Sequence, residues 1–474
     1  MFTLLLIALL LQPAATPPAG SVLIENVTIV PMVEGQPDAV AGQDVLVAGE
    51  TFAAIGPAGT LDVPPNTRRI DGRGKWLIPG LGDAHVHYPF QLGSPEGEGR
   101  TFAQEDARIL NRLFVAHGVT VVRNMGGSPL VLKERDAIRR GEAIGPSILT
   151  VGPMYSGSDI GLFRTLGAGA DVADILNEHE AFGYDAIKVH TSPDPDAFAR
   201  LAAEAHDRDM QIVGHVPFTV GLSRTLEAGL DTIEHVGLFS ITVAADDAPG
   251  TGEPWPAMME RYNHPDPAKI GALAEQLKAA DATIVPTLTV TLTGAMTAGE
   301  FREHVAGDQY ANRTSPAIRQ HWLDRWPSEI AMYERAGVTL AGQRDTPRLV
   351  TKGLIDAGVT IVAGTDVPAT PAVAGLALHE EIADYAELGM TPREALATAT
   401  SGLADALDGG DTFGRIKPGL RADAVLLDAD PLANIEHTKR VTGVLLRGEF
   451  HDRAALDAML AEVDALVAAA TDED

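Results

Sequence analysis

The 474-residue chain carries 65 acidic against 36 basic residues, a formal charge of −29, with 45% apolar residues and no cysteine. That balance describes a globular protein of one large and one small domain, and its acidic surface repels phosphate backbones, which excludes nucleic-acid binding. Without cysteine there is no disulfide, no cysteine-linked lipid and no thiolate metal site, so any metal must rest on His, carboxylate or modified Lys.

Residues 1–15 open with the apolar run FTLLLIALLL, followed by small residues and prolines. The run is short for a membrane span and precedes a small-residue cleavage region, so residues 1–20 are expected to be a signal peptide. The expected location is periplasmic or secreted, with no membrane insertion after cleavage. No Lys or Arg precedes the run, which keeps an uncleaved N-terminal anchor as the alternative.

Residues 21–79 alternate in short strands with Gly and Pro punctuation (SVLIENVTIV, DVLVAGETFAAIG, TRRIDGRGKWLIPG). A matching texture returns over residues 415–451, in RIKPGLRADAVLLDADPL and RVTGVLLRGEF. Two such flanks predict a small β-sandwich built from both chain ends. Between them, over residues 80–414, amphipathic segments precede short apolar runs, the pattern of parallel strands joined by helical crossovers. Eight strands emerge: GDAHVH, VTVVRN, SILTVG, AIKVH, IVGHV, TIEHV, TIVPTL and TIVAGTD. Eight closes a (β/α)8 TIM-like barrel, an α/β fold whose functional side chains gather at the C-terminal ends of the strands.

Two connections run long, about 237–267 and about 289–348, and they hold Trp255, Trp322 and Trp326. Such excursions shape or cover a site, although packing onto the barrel explains the tryptophans equally well. Residues 452–474 form an amphipathic helix expected to pack on the body.

His85 and His87 stand two apart in a strand, so both rings face one side and can converge on one ion. Lys188, His215, His235 and Asp366 each lie at or near the end of their own apolar run. His85 and His87 with Asp366 would hold one divalent ion, and His215 with His235 a second. An ammonium between two cations would be repelled. A neutral Lys188 amine that has taken up carbon dioxide becomes an anionic two-oxygen bridge; the alternative is an outward lysine or one paired with an acid. His190 follows Lys188 by two and faces the same way, a candidate substrate contact. His117, His264 and His379 fall on helices or in a loop and are assigned to packing.

The segments GLGDAHVH, GVTVVRNMGG, AIKVH, AGLDTIEH, AGTD, TPREALATAT and GRIKPGLRADAVLLDADPL together resemble the amidohydrolase superfamily, in the branch with a carboxylated lysine and a binuclear centre. Within it the texture is most similar to the imidazolonepropionase-like and Xaa-Pro dipeptidase-like group. The resemblance implies two divalent ions, zinc by default, bridged by carboxylated Lys188. His85 and His87 would bind the buried ion and His215 and His235 the more exposed one. Asp366 would bind the first ion and shuttle the proton as metal-bound hydroxide attacks.

The implied activity is hydrolysis of an amide or peptide bond, not an ester, in a small substrate such as an N-acyl amino acid or Xaa-Pro-type dipeptide. A cyclic-amide hydrolase or deaminase of the same superfamily is the alternative, and a metal-binding protein without catalysis would lack a ligand, whereas all six positions are filled. The flanking sandwich weighs against a phosphotriesterase-like reading. Asn124 stands where the group often has Asp. Arg123, Arg164 and Arg344 are available to hold a substrate carboxylate. The expected partner is the small-molecule substrate, and homo-oligomerisation is left open.

Overall fold

The computed structural model describes residues 20–88, 104–158, 163–249, 257–307, 310 and 312–472. The expected signal segment therefore lies outside the described residues except for Gly20, and Trp255 lies outside them as well.

The eight expected barrel strands form one parallel sheet, running in chain order from Leu81–Val86 to Thr360–Ile361. The edge strands meet. Ala84 N donates to Ala363 O (2.9 Å), Asp366 N to His85 O (2.7 Å) and His87 N to Val367 O (2.7 Å), which closes the cylinder. A ninth short strand, Phe163–Thr165, pairs with Ser147–Ser156 and was not evident from pattern. Strand interiors are apolar because both faces are covered: Ala84, Val121, Val285 and Val362 pack with Leu403 and Phe413.

The helices start where local chemistry starts them. Asp194, Asp266 and Ser315 each cap a helix whose first turn contains Pro, and Thr391 and Glu394 form a reciprocal capping box. Gly183 and Gly358 end helices in the left-handed conformation. The long connection after the seventh strand is helical: Leu288–Gly294, Ala298–Ala306, Pro316–Arg335 and Leu340–Ala357. Trp322 and Trp326 are buried beneath the third of these helices.

The flanking domain joins both chain ends in one eight-stranded sheet. Trp76–Pro79 lies between Val22–Ile29 and Ala424–Leu427, antiparallel to the latter. Two pairings, of Val22–Ile29 with Arg68–Asp71 and with Trp76–Pro79, are parallel, so the sheet is mixed. It has its own core, including Val45, Phe52, Leu77 and Leu426. The last helix, Arg453–Asp472, packs on Gln104–Ala116, with Arg112 Nε donating to Glu462 at 2.9 Å.

Candidate metal centre

All six candidate ligands come together at the C-terminal mouth of the barrel. His85 Nε2, His87 Nε2 and a carboxylate oxygen of Asp366 lie within 4.8 Å of one another. Asp366 Oδ1 is 3.0 Å from His87 Nε2 and 3.4 Å from His85 Nε2. Lys188 Nζ is 3.3 Å from His85 Nε2. The His235 ring stands 4.6 Å from that of His85 and 4.8 Å from that of His215.

Backbone geometry puts them there. His235 and Asp366 adopt left-handed φ of 67° and 60°, as does Thr287 at 51°, so three successive strand ends carry strained residues of the kind that functional sites retain. Gly214 has a φ of 134°, and a Cβ there would stand 2.0 Å from Val189 O; only glycine lets the strand that delivers His215 approach the Lys188 strand so closely. A Cβ at Gly364 would likewise press on His85.

The hydrogen bonds fix which nitrogen each ring presents. His85 Nδ1 donates to Glu234 Oε2 at 2.6 Å, so Nε2 keeps its lone pair toward the site. Thr287 spends its proton on Pro286 O and accepts from His235 Nδ1 at 2.9 Å, leaving His235 Nε2 as a lone pair too. His215 Nδ1 and Asp366 Oδ1 are buried with no hydrogen-bond partner among the described residues. Lone pairs and a carboxylate oxygen turned on one another repel unless a cation joins them, so the donor set fits divalent metal.

Charge states agree with that fit. Burial holds His85, His87 and His215 below the ordinary imidazole value, and His235 at about 4, so these rings are neutral donors. Burial would raise Asp366, but the His87 ring 3.0 Å away and the neighbouring imidazoles outweigh it and keep the carboxyl below its usual range. Burial brings Lys188 down to about 8, with Glu234 and Asp366 opposing.

Behind the ligands lies a layer that pattern did not reveal. Glu234, fully buried, also accepts from Arg123 Nη2 (2.8 Å) and Thr232 Oγ1 (2.6 Å). Asp83 accepts from His85 N and from Thr365 N and Oγ1, tying the first strand to the segment before Asp366. The acids inside the apolar runs TIEHV and GDAHVH were the available signals, since an unpaired carboxylate is not buried there without a role. His190 lines the mouth, its ring 3.9 Å from that of His215 and 4.7 Å from Phe163. His379 packs as expected, bonded to Thr438 and His117 O.

The arginines considered for a substrate carboxylate are otherwise engaged. Arg123 is buried on Ala84 O, Thr232 and Glu234, Arg164 holds Glu178, and Arg344 is an exposed partner of Asp345. Arg123 lies in a strand buried at every position and turns into the barrel, while the other two face outward with near neighbours of opposite charge. Asn124 bonds Tyr88 N, Gly126 O and Thr150, which gives it a structural task.

Comparison with known proteins places this geometry. A family model described as Amidohydrolase family matches residues 76–450. The imidazolonepropionase of Salinispora arenicola is 25% identical over 433 residues, covering 86% of this chain and 93% of its own. Among solved structures, a bottromycin amidohydrolase superposes with a TM-score of 0.68 at 23% identity, over 94% of this chain and 90% of that one. A Xaa-Pro dipeptidase with bound methionine gives 0.62 at 19% identity, over 91% and 100%.

Proposed function

Since the chain belongs to the amidohydrolase family, we propose that it hydrolyses the amide or peptide bond of a small substrate, an N-acyl amino acid or a Xaa-Pro-type dipeptide. The coarser activity, metal-dependent hydrolysis of a carbon–nitrogen bond, is that of the family. The observation that carries the finer reading is the approach of Lys188 Nζ to 3.3 Å from a His85 lone pair, with both side chains buried. A lysine there serves a purpose only when its charge is removed or reversed. Addition of carbon dioxide to the neutral amine, with release of one proton, yields an N-carboxylate that can join two donor sets.

On this reading His85, His87 and Asp366 would hold one divalent ion, His215 and His235 the other, and carboxylated Lys188 would belong to both. Such ions, zinc by default, polarise a carbonyl and make water acidic enough to ionise near neutral pH. Glu234 and Thr287 keep the His85 and His235 rings in the tautomer that binds. Asp366 takes the proton of the attacking water on a carboxylate oxygen and returns it to the departing nitrogen. The similarity of the dipeptidase structure supports the substrate class.

The similarity over almost the full length of an imidazolonepropionase favours a second reading, hydrolysis of a cyclic amide. Metal counting separates the two, because a single-ion enzyme gives Lys188 nothing to bridge. The test is purified, zinc-loaded protein on a panel of N-acyl amino acids, Xaa-Pro dipeptides and cyclic amides, with Asp366→Asn as control. Two ions per chain and turnover of linear amides, cut by about 100-fold or more in the variant, are expected; one ion with turnover of cyclic amides alone would select the second reading. We further propose export to the periplasm or beyond, supported by residues 1–20; among the described residues no helix is long and apolar enough to cross a membrane. N-terminal sequencing of the mature protein tests it.

A further inference from the structure

The candidate ligand histidines differ in how their rings are held. His85 is fixed through Nδ1 by Glu234, and His235 through Nδ1 by Thr287. His215 has no such bond: its Nδ1 is buried without a partner, and its Nε2 forms no hydrogen bond among the described residues. The torsion that turns an imidazole on its stem has broad wells, so a ring without an outer bond needs another restraint to keep a ligand nitrogen on target.

His190 supplies one by contact. Its ring centroid lies 3.9 Å from that of His215, with the planes 41° apart, and Phe163 meets it edge-on at 4.7 Å and 61°. His190 is itself pinned: its N–H donates to Tyr155 O at 2.7 Å, and its Nδ1 meets Thr191 Oγ1 at 3.1 Å. Phe163 opens the short strand Phe163–Thr165, a piece that an eight-stranded barrel does not require. That strand is fastened alongside Ser147–Ser156, with Leu166 N donating to Ser156 O at 2.7 Å, and Ser156 Oγ stands 3.2 Å from Ser192 Oγ just beyond His190. The added strand therefore has a task, which is to carry an aromatic ring onto His190.

We propose that His190, backed by Phe163, is a positioning residue for His215, a ring-on-ring support in place of an outer hydrogen bond that sets how tightly the ion at His215 and His235 is held. This rests on the two-ion reading above and adds what determines the affinity of one ion. With two ring nitrogens against two nitrogens and a carboxylate at the other, that ion is the more weakly bound. A substrate contact at His190 would leave metal affinity unchanged, and a third nitrogen ligand would be lost in every variant without a donor atom.

The experiment titrates zinc into metal-free wild type, His190→Ala, His190→Phe, Phe163→Ala and the surface control Arg344→Gln against a chromophoric chelator, which gives the affinity of each successive ion. His190→Ala should weaken the second ion about 3- to 10-fold, the worth of an aromatic pair, and leave the first unchanged. His190→Phe keeps a ring and discards both nitrogens, so it should stay close to wild type. Phe163→Ala should shift the second ion in the same direction as His190→Ala by a smaller factor, and Arg344→Gln should shift neither. A general loosening of the fold would move both ions together, and urea unfolding of the metal-free proteins measures it separately. Equal second-ion affinity in wild type and His190→Ala, an equal loss on both ions, or a loss in His190→Phe as large as in His190→Ala would overturn the proposal. If His190→Ala does not fold, an unchanged second ion in Phe163→Ala overturns it instead. Spectra of the metal-free proteins labelled with 13C-histidine separate the two ideas. Should wild type bind one ion only, the two-ion reading falls; the support then stands if the His215 ring signal is sharp in wild type and broadened in His190→Ala, and falls if the two spectra agree.

Discussion

Replacing Glu234 by Gln keeps the shape of a side chain that holds three buried partners and removes only its charge. Arg123, 2% exposed, would then lack its counter-ion, and breaking a buried pair in this way costs about 3–5 kcal/mol. A second loss follows at His85. If the new amide turns its NH2 toward Nδ1, that nitrogen must accept, the ring proton moves to Nε2, and the lone pair facing the site disappears. Outer partners of ligand histidines are worth about 10- to 100-fold in metal affinity, and that is the expected weakening in competition with a chromophoric chelator. Urea unfolding of the metal-free proteins reads the first loss by itself. The double variant Glu234→Gln with Arg123→Met removes both buried charges and should recover a large part of the destabilisation. A Glu234→Gln protein that unfolds within about 1 kcal/mol of wild type and binds zinc as tightly would refute the reasoning.

Other outcomes are equally specific. Lys188→Met is expected to lower bound metal from two ions per chain toward one and to abolish most turnover; retention of both ions, measured by elemental analysis, would remove the bridging role. Glu381 accepts from Leu288 N, Thr289 N, Thr289 Oγ1 and Tyr385 Oη, yet burial raises its carboxyl from 4.5 to about 7. The folded state therefore holds this proton more tightly than the unfolded chain, so its stabilising contribution is complete below pH 4.5 and is lost as pH rises to about 7, a difference of about 3 kcal/mol. Glu381→Gln should flatten that part of the stability–pH curve, and parallel curves for the two proteins would contradict it. Gly214→Ala forces a Cβ against Val189 O and should cost more than about 2 kcal/mol in chemical denaturation, with weakened binding of the ion near His215.

The barrel was legible because each parallel strand is buried on both faces and therefore spells a compact apolar run with a polar residue at its end. His85 and His87 show themselves by strand alternation, and Lys188, His215, His235 and Asp366 by position at strand ends. Glu234 was not legible, since alternation alone assigns it to the face opposite His235. The left-handed turn at His235 breaks that rule and admits both side chains to one neighbourhood. The helix Pro316–Arg335 was illegible for a different reason. Its placement depends on two indole hydrogen bonds, from Trp322 and Trp326, to backbone carbonyls far away in sequence, which no local pattern encodes. The mixed pairing in the flanking sheet was hidden similarly, because short alternating strands look alike whether their neighbours run parallel or antiparallel.

The flanking sheet orders events during biosynthesis. Strand Trp76–Pro79 leads directly into the barrel, but one of its edges stays bare until Ala424–Leu427 has been translated, some three hundred and fifty positions later. Contacts that distant form late and leave an adhesive backbone edge exposed meanwhile. A nascent polypeptide halted before that point should clump or be degraded.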